Sequence, residues 1–400
     1  MTYLLSSEMN YNSILYMKNE SENKVIPFFK SKSAANVVQV ADSFNFRRGG
    51  KLEKVSVAYE AWGKLNADKS NVIVILTGLS ASSHVASSNF DKSAGWWESM
   101  VGKNKPFDVN SHYIICINTL GSCFGSTSPV SVNPKTSKPY RLSFPQLTVE
   151  DMAQASKLLL DKLGIDSIKI LVGPSLGGMQ ALVFSIMFNK CVENLILIST
   201  ATQALPFAIA VRSLQREVIR KDPQWNNGFY SYESPPLNGV RIARKLGMTT
   251  YRSSAEWLQR FGRKKSSSEK LNQNTFGVDN TSFEFEIESY LEHHAVKFQN
   301  VFDANCYLYL SRAMDWFDVS DHGKSTQDAM SKTSVDKALV LGVTSDTLFP
   351  VHQQKEISEC LLQAGTKVDY QELDSIQGHD SFLVDIEKFG KKIKSFILDL

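Results

Sequence analysis

Long apolar runs and paired cysteines are both missing from this sequence. No apolar stretch in the 400 residues reaches the ~20 that a membrane-spanning helix needs, and the N-terminus has no continuous apolar segment typical of a secretory signal. The 5 cysteines are odd in number, scattered and without a C-x-x-C spacing. These absences predict a cytoplasmic protein with reduced cysteines, and they exclude a membrane as an expected partner.

The sequence also lacks a large excess of charge of either sign. The 44 basic and 41 acidic residues leave a net charge of only +3, whereas a nucleic-acid-binding protein carries a clustered basic face. The basic run at residues 260–270 contains consecutive serines and is typical of a solvated loop. The zinc pattern H-E-x-x-H is absent, and the adjacent His293 and His294 would point apart on a helix. We therefore expect neither a nucleic-acid partner nor a metal site.

The clearest positive signal is a buried strand followed at once by a serine turn and a helix. Residues 168–172 are an apolar run that predicts the strand, and residues 178–190 place their apolar side chains on one helical stripe. Between them stands Gly173-Pro174-Ser175-Leu176-Gly177, a G-x-S-x-G pattern. In this context the pattern predicts a nucleophile elbow that exposes the Ser175 hydroxyl, and the alternative is an ordinary glycine–serine turn.

Strand and helix patterns alternate along most of the chain. The further predicted strands cover residues 54–60, 71–76, 113–117, 192–199, 338–343 and 367–373. This alternation predicts a mainly parallel central sheet, and together with the nucleophile elbow it predicts an α/β-hydrolase fold. We expect residues 41–201 and 324–400 to form the hydrolase core, residues 202–323 to form a helical cap, and residues 1–40 to be a poorly ordered extension.

Two residues complete a candidate catalytic triad with Ser175. Asp346 and His379 each follow a predicted strand, which gives the order Ser, Asp, His that this fold uses. In this arrangement His379 takes the proton of Ser175, and Asp346 holds the imidazole tautomer. His84, in the segment after strand 71–76, is a second candidate for a role at the site.

Several short motifs extend well beyond the serine pattern. They are Ala58-Tyr59-Glu60-Ala61-Trp62-Gly63-Lys64-Leu65-Asn66, Gly95-Trp96-Trp97, Leu120-Gly121-Ser122-Cys123, Gly177-Gly178-Met179-Gln180, Phe302-Asp303-Ala304-Asn305-Cys306-Tyr307-Leu308 and Gly378-His379-Asp380. Through these motifs, residues 46–395 resemble the homoserine/serine O-acyltransferase family of α/β-hydrolases. The resemblance implies acyl transfer from an acyl-CoA to the hydroxyl of a small amino acid, through an acyl-enzyme on Ser175.

The resemblance also implies roles for further residues. The backbone N–H groups of Leu79 and Leu176 would form the oxyanion hole. The substrate-binding arginine of the family falls on Arg244, with Arg241 as a close rival in the alignment, and the substrate-binding aspartate falls on Asp380. An arginine suits the α-carboxylate of an amino acid, and an aspartate suits its α-ammonium group.

Two features depart from the homoserine acetyltransferase pattern of this family. The usual His-Ala-Leu-Thr-Gly of the oxyanion loop is replaced by a sequence that contains the candidate acceptor-specificity residues Gly78, Leu79, Ser80 and Ala81. Arg212 stands where acetyl-transferring members commonly carry an uncharged residue. A buried arginine needs an anion, and the carboxylate of a succinyl group would supply one. Both features are similar to the serine O-succinyltransferase branch, which implies formation of O-succinyl-L-serine for cysteine synthesis.

Other functions are compatible with many of these features. A homoserine O-acetyltransferase or O-succinyltransferase of methionine synthesis would differ at Arg212 and at the acceptor loop. An ester hydrolase would share the acyl-enzyme, and a non-catalytic binding protein could keep the fold. No bound cofactor is expected, because succinyl-CoA is a co-substrate. The family also suggests a homodimer formed through the cap, in which the aromatic-rich residues 290–317 are either a contact or packed inside.

Overall fold

A computed structural model describes residues 35–266 and 283–400. One sheet of 8 strands runs through the molecule in the order β1-β2-β4-β3-β5-β6-β7-β8. These strands are β1 (Asn36–Asn45), β2 (Lys51–Trp62), β3 (Val72–Leu76), β4 (Tyr113–Ile117), β5 (Ile168–Pro174), β6 (Val192–Ile198), β7 (Lys337–Val343) and β8 (Lys367–Leu373). β2 pairs antiparallel with both β1 and β4, and the remaining neighbours pair parallel.

Helices follow most of the parallel strands. They are α1 (Val149–Lys162), α2 (Leu176–Met187), α3 (Pro206–Lys221), α4 (Leu237–Tyr251), α5 (Ser254–Arg260), α6 (Glu286–Gln299), α7 (Ala304–Trp316), α8 (Thr326–Met330), α9 (Val351–Gln363), α10 (Ser381–Val384) and α11 (Ile386–Leu398). None of the helices in the described residues has the length and apolar character needed to cross a membrane.

Two hydrophobic clusters lie on opposite faces of the sheet. Successive side chains of a strand point to opposite faces, so Val72 and Val74 of β3 belong to one cluster and Ile73 and Ile75 to the other. Helices α1, α2 and α9 pack in the first cluster, and α11 packs in the second. Because parallel strands end at the same edge, the loops after β3, β5, β7 and β8 meet there.

The N-terminal boundary corrects the sequence-based expectation. Residues 36–40, assigned to a poorly ordered extension, begin β1, which pairs with β2 and buries Val40 and Phe44. β1 is an edge strand with most of its side chains in contact with solvent, so its sequence lacks the apolar pattern of the central strands. The remainder of the expected extension, residues 1–34, lies outside the described residues.

The predicted cap, residues 202–323, connects β6 to β7. In its described residues it contains α3 to α7, two 3-10 segments (Pro223–Gly228 and Val319–His322) and isolated bridges rather than a strand. The aromatic-rich stretch at residues 290–317 contributes α7 to the interior, where Tyr307 and Leu310 belong to the hydrophobic core. The division of the chain into core and cap domains stays a prediction.

Candidate active site

Ser175 lies in the tight turn between β5 and α2. Its backbone has φ 55° and ψ −124°, a conformation that costs an L-residue free energy. A Cβ atom on Gly173 would overlap the carbonyl oxygen of Gly177, and a Cβ atom on Gly177 would overlap the carbonyl oxygen of Leu76. Glycine at both positions therefore allows strand and helix to approach closely, and Ser175 lines the cavity above the turn.

The three predicted triad residues lie within hydrogen-bonding distance of one another. His379 Nε2 is 3.0 Å from Ser175 Oγ, and His379 Nδ1 is 2.7 Å from Asp346 Oδ2. Asp346 Oδ1 accepts backbone hydrogen bonds from Leu348 and Phe349, both at 2.9 Å. Each residue follows a parallel strand at the same edge of the sheet, as the chain order predicts.

The surroundings of His379 favour its role as a base. Burial disfavours the charged imidazolium, but the Asp346 carboxylate outweighs burial, with a further contribution from Asp380, so the pKa of His379 is raised above its ordinary value. The ring stacks on Phe349 with centroids 5.0 Å apart and meets Phe382 edge-on at 5.9 Å. These contacts fix the orientation of the imidazole toward Ser175.

The loop after β3 reaches the same cavity. Gly78, Leu79, Ser80 and Ala81 all contribute to its wall. Leu176 is the first residue of α2, where backbone N–H groups have no partner within the helix. Leu79 thus lines the cavity and Leu176 begins the helix behind Ser175, and the use of their amides as oxyanion donors stays a prediction.

A cavity of about 220 Å³ joins the triad to the cap. Arg212 of α3 lines it, with its Nε donating to Asp315 Oδ1 of α7 at 2.5 Å. Its two terminal nitrogens, Nη1 and Nη2, are buried and have no hydrogen-bond partner among the described residues. A buried donor without a partner is costly, so the guanidinium of Arg212 is suited to an anion in the cavity.

The two rival arginines of α4 have different surroundings. Arg244 lines the cavity, where its guanidinium carbon lies 5.3 Å from the centroid of Tyr251 and 4.6 Å from that of Phe298. Its Nε is buried without a partner among the described residues. Arg241 lies outside the cavity wall and donates from Nη1 to both carboxylate oxygens of Glu292 at 2.7 Å. Arg244 is thus the one of the two that a substrate could reach.

Proteins of known activity are similar to this chain over most of its length. A family model described as alpha/beta hydrolase fold matches residues 71–383. A serine O-succinyltransferase of Litchfieldella anticariensis is 47% identical over 365 residues, which are 91% of this chain and 98% of the relative. Another, of Stenotrophomonas maltophilia, is 48% identical over 355 residues, 88% and 95% of the two chains. This chain belongs to the homoserine/serine O-acyltransferase family of α/β-hydrolases.

Solved structures of an acetyltransferase and of an esterase share the fold of this chain. A homoserine O-acetyltransferase from Bacillus anthracis has a TM-score of 0.80 and 27% identity, covering 90% of this chain and 96% of that one. Esterase E22 has a TM-score of 0.80 and 29% identity, covering 90% and 98% of the two chains. The predicted family, the α/β-hydrolase fold and the enzyme class of acyltransferase are confirmed.

Asp380 of the acyltransferase lines the cavity directly after the triad histidine. Burial raises the pKa of the Asp380 carboxyl, against the opposing effect of the Arg252 guanidinium, whose Nε lies 3.4 Å away. Arg252 also donates to the Gln377 side chain at 2.8 Å. Arg252 could not be predicted from the sequence, because a single arginine after a helix has no distinguishing pattern.

A second missed residue is Gln180 of the Gly-Gly-Met-Gln motif in this acyltransferase. Its buried Nε2 donates to the Thr77 carbonyl oxygen at 3.1 Å and to Thr119 Oγ1 at 3.2 Å. Thr77 begins the loop that carries Leu79, whereas Gln180 belongs to the helix that begins at Leu176. Gln180 therefore connects the two backbone segments that carry the candidate oxyanion donors.

His84, the second histidine candidate, lies outside the cavity wall of the acyltransferase. Its Nδ1 is 3.0 Å from Glu60 Oε2, and its Nε2 is 2.9 Å from the Ser93 carbonyl oxygen. Burial lowers the pKa of His84, but the hydrogen bond with Glu60 and its other partners outweigh burial and raise it. The side chain thus anchors the segment after the oxyanion loop and does not join the triad.

Proposed function

We propose that this acyltransferase moves the succinyl group of succinyl-CoA to the hydroxyl of L-serine and forms O-succinyl-L-serine, which feeds cysteine synthesis. The observation that carries the proposal is Arg212, whose two terminal nitrogens lack a partner at the wall of the cavity that holds Ser175. A carboxylate can pair with both nitrogens of a guanidinium. A succinyl group offers a carboxylate, whereas an acetyl group offers none. The names of the two bacterial relatives support the same reaction.

The first half-reaction would acylate the enzyme. His379 Nε2 accepts the proton of Ser175 Oγ while Oγ attacks the thioester carbonyl carbon. The amides of Leu79 and Leu176 stabilise the resulting oxyanion. The carbon–sulfur bond then breaks, CoA leaves as a thiol with the proton from His379, and Ser175 carries a succinyl ester. Succinyl-CoA is a co-substrate in this scheme, and no metal or resident cofactor takes part.

The second half-reaction would transfer the succinyl group to the amino acid. The acceptor hydroxyl gives its proton to His379 while its oxygen attacks the ester carbonyl, and Ser175 Oγ then recovers that proton. We assign the α-carboxylate of the acceptor to Arg244, which has a buried nitrogen without a partner in the described part of the chain. We assign its α-ammonium group to Asp380, which lines the same cavity.

The choice of serine over homoserine is assigned to the oxyanion loop. Gly78, Leu79, Ser80 and Ala81 line the cavity and would border the acceptor. The two acceptors differ by one methylene group, which a pocket discriminates by about 1–3 kcal/mol. We therefore expect preference for serine rather than strict exclusion of homoserine.

The experiment that tests this function crosses donors with acceptors. CoA-thiol release is measured with succinyl-CoA or acetyl-CoA, each combined with L-serine or L-homoserine. We expect the fastest release with succinyl-CoA and serine, and slower release when homoserine replaces serine or acetyl-CoA replaces succinyl-CoA. Arg212→Met should depress use of succinyl-CoA far more than use of acetyl-CoA, and equal losses would contradict the role of Arg212. Preference for acetyl-CoA and homoserine would contradict both specificity assignments and leave the triad assignment standing.

Ester hydrolysis is the second candidate, because esterase E22 shares the fold with a TM-score of 0.80. Hydrolysis and transfer use the same acyl-enzyme and differ in the group that attacks it. Release of free succinate without any amino acid distinguishes them. Turnover that depends on the acceptor supports transfer, whereas equal turnover without an acceptor supports hydrolysis.

We also propose that the acyltransferase acts as a homodimer, as its family suggests. Exposed apolar side chains occur on α3 and α4, where Phe207, Leu214 and Ile242 are 53%, 52% and 41% exposed. Such residues suit a contact between cap helices. Sedimentation velocity would test this, since a monomer at micromolar concentration contradicts it.

A further inference from the structure

Three buried charged side chains meet where two cap helices pack together. Arg212 and Arg216 lie four residues apart on α3, and so on the same face of that helix, with Asp315 of α7 between them. Asp315 Oδ1 is 2.5 Å from Arg212 Nε, and Asp315 Oδ2 is 2.5 Å from Arg216 Nη2. These side chains are 4% to 7% exposed, so salt and water screen their charges little.

The two arginines differ in the surroundings of their remaining nitrogens. Arg212 lines the cavity that holds Ser175, and its Nη1 and Nη2 have no partner among residues 35–266 and 283–400. Arg216 lies outside the cavity wall, and its Nη1 is 3.5 Å from the Ser311 hydroxyl. Two positive charges and one negative charge leave a net positive charge. Of the two arginines, Arg212 is the one that can present it to a ligand.

We propose that Arg216 is a positioning residue that sets donor selectivity by occupying one oxygen of Asp315. A carboxylate with two free oxygens binds a guanidinium through two parallel hydrogen bonds. Arg216 Nη2 holds Oδ2 as an ion pair at 2.5 Å, without hydrogen-bond geometry, and Asp315 engages Arg212 only through Nε. Both terminal nitrogens of Arg212 then stay available for the carboxylate of a succinyl group, so Arg216 acts on a ligand that it does not touch.

This inference rests on the proposed function, because it requires a donor carboxylate at Arg212. Oδ2 of Asp315 accepts no hydrogen bond from the described residues, so it is the charge of Arg216 that holds it. Without that charge, the carboxylate can turn so that Oδ2 accepts a hydrogen bond from a terminal nitrogen of Arg212. The two side chains then form a closed, neutral ion pair at the cavity wall. A charged succinyl group loses its partner, whereas an uncharged acetyl group loses nothing.

Replacing Arg216 by methionine removes the charge and the donors while keeping a long, flexible side chain. For Arg216→Met we expect kcat/KM with succinyl-CoA to fall about 10- to 100-fold, mainly through KM, and kcat/KM with acetyl-CoA to stay within about threefold. Arg216→Lys keeps a charge for Asp315 and should restore most of the preference. Arg220→Met is the matched control, because Arg220 is an exposed arginine one turn further along α3. This control should leave both donors unchanged.

A double variant separates this role from a structural one. With Arg216→Met and Asp315→Asn combined, a neutral amide replaces the carboxylate and cannot close an ion pair with Arg212. Preference for succinyl-CoA should therefore recover relative to Arg216→Met alone, whereas a purely structural role predicts further loss. Circular dichroism shows whether Arg216→Met folds. If it does not, the ratio of kcat/KM with succinyl-CoA to kcat/KM with acetyl-CoA is measured in Arg216→Lys and in the double variant of Arg216→Met with Asp315→Asn.

The outcomes separate this inference from the proposed function. An unchanged donor ratio in Arg216→Met, equal losses with both donors, or a failure of the double variant to recover would overturn the role of Arg216. The proposed function survives these results if the unmodified enzyme prefers succinyl-CoA and Arg212→Met removes that preference. An unmodified enzyme that prefers acetyl-CoA would overturn both.

Discussion

The sheet edge and the cap hold their functional side chains in different ways. At the sheet edge, both ring nitrogens of His379 and both carboxylate oxygens of Asp346 have hydrogen-bond partners within the protein. In the cap, Arg212 has two buried nitrogens and Arg244 has one that lack a partner in the described part of the chain. An unpaired buried donor costs about 1–3 kcal/mol, which a matching anion would recover. The reacting groups therefore have all their hydrogen-bond partners without substrate, whereas the groups assigned to binding lack some of theirs.

This difference predicts two kinds of mutant. Changes at the sheet edge should slow the reaction by the same factor for every donor and acceptor. Changes in the cap should act on one substrate and spare the other.

Ser175→Ala should have the largest effect of all. Loss of the nucleophile from a serine triad lowers kcat by about 10⁶-fold, and no succinyl ester should appear on the protein by intact mass spectrometry. Calorimetry should show that succinyl-CoA still binds, because the cap is unchanged. Turnover close to that of the unmodified enzyme would show that Ser175 is not the nucleophile.

Asp346→Asn should lower kcat by about 10⁴-fold, because the amide favours the wrong tautomer of His379. The factor should be the same with succinyl-CoA and with acetyl-CoA, in contrast to the Arg212 variants. A loss of kcat with only one of the two donors would contradict the expected difference between the sheet edge and the cap. Steady-state kinetics with both donors decide the question.

Arg244→Met should raise KM for the amino acid about 10- to 100-fold, since a hydrogen-bonded charge pair is lost. The rate of Ser175 acylation by succinyl-CoA in the absence of acceptor should stay the same. Arg241→Met is the matched control on the same helix, because Arg241 pairs with Glu292 outside the cavity. Comparable effects of the two substitutions on KM would contradict the assignment of Arg244.

The pH profile should show a smaller effect. His379 accepts a proton only as neutral imidazole, and Asp346 raises its pKa above the ordinary value despite burial. We expect kcat/KM to rise with pH through a midpoint above about 6.5. In Asp346→Asn the residual activity should have a lower midpoint, because the carboxylate that favours imidazolium is gone. A midpoint that does not move would show that another group controls the profile.

The predictable parts of the molecule depend on short stretches of sequence. The elbow is encoded by a few adjacent residues, and Asp346 and His379 follow from the order of strands along the chain. Arg216 and Asp315 could not be paired this way, because their contact joins two helices of the cap across nearly a hundred residues. Likewise, the choice between Arg244 and Arg241 depends on how α4 is rotated against α6, which no local pattern specifies.

The edge strand β1 also could not be predicted from a local sequence pattern. β1 was missed because few of its side chains are buried, and the apolar pattern that reveals β3 is therefore absent from it. Gln180 belongs to a recognised motif, but its bonds to Thr77 and Thr119 appear only when α2 lies against the neighbouring strands. Apart from this edge strand, the contacts between elements were what the sequence left undetermined.

The left-handed backbone at Ser175 bears on how this chain could evolve. A conformation of this kind costs a serine about 1–3 kcal/mol, and glycine adopts it freely at an entropic cost of about 0.5–1 kcal/mol. Ser175→Gly should therefore give a more thermostable protein that lacks a nucleophile. Selection for folding alone would favour glycine at this position. The presence of serine is therefore explained by selection for catalysis at the expense of stability.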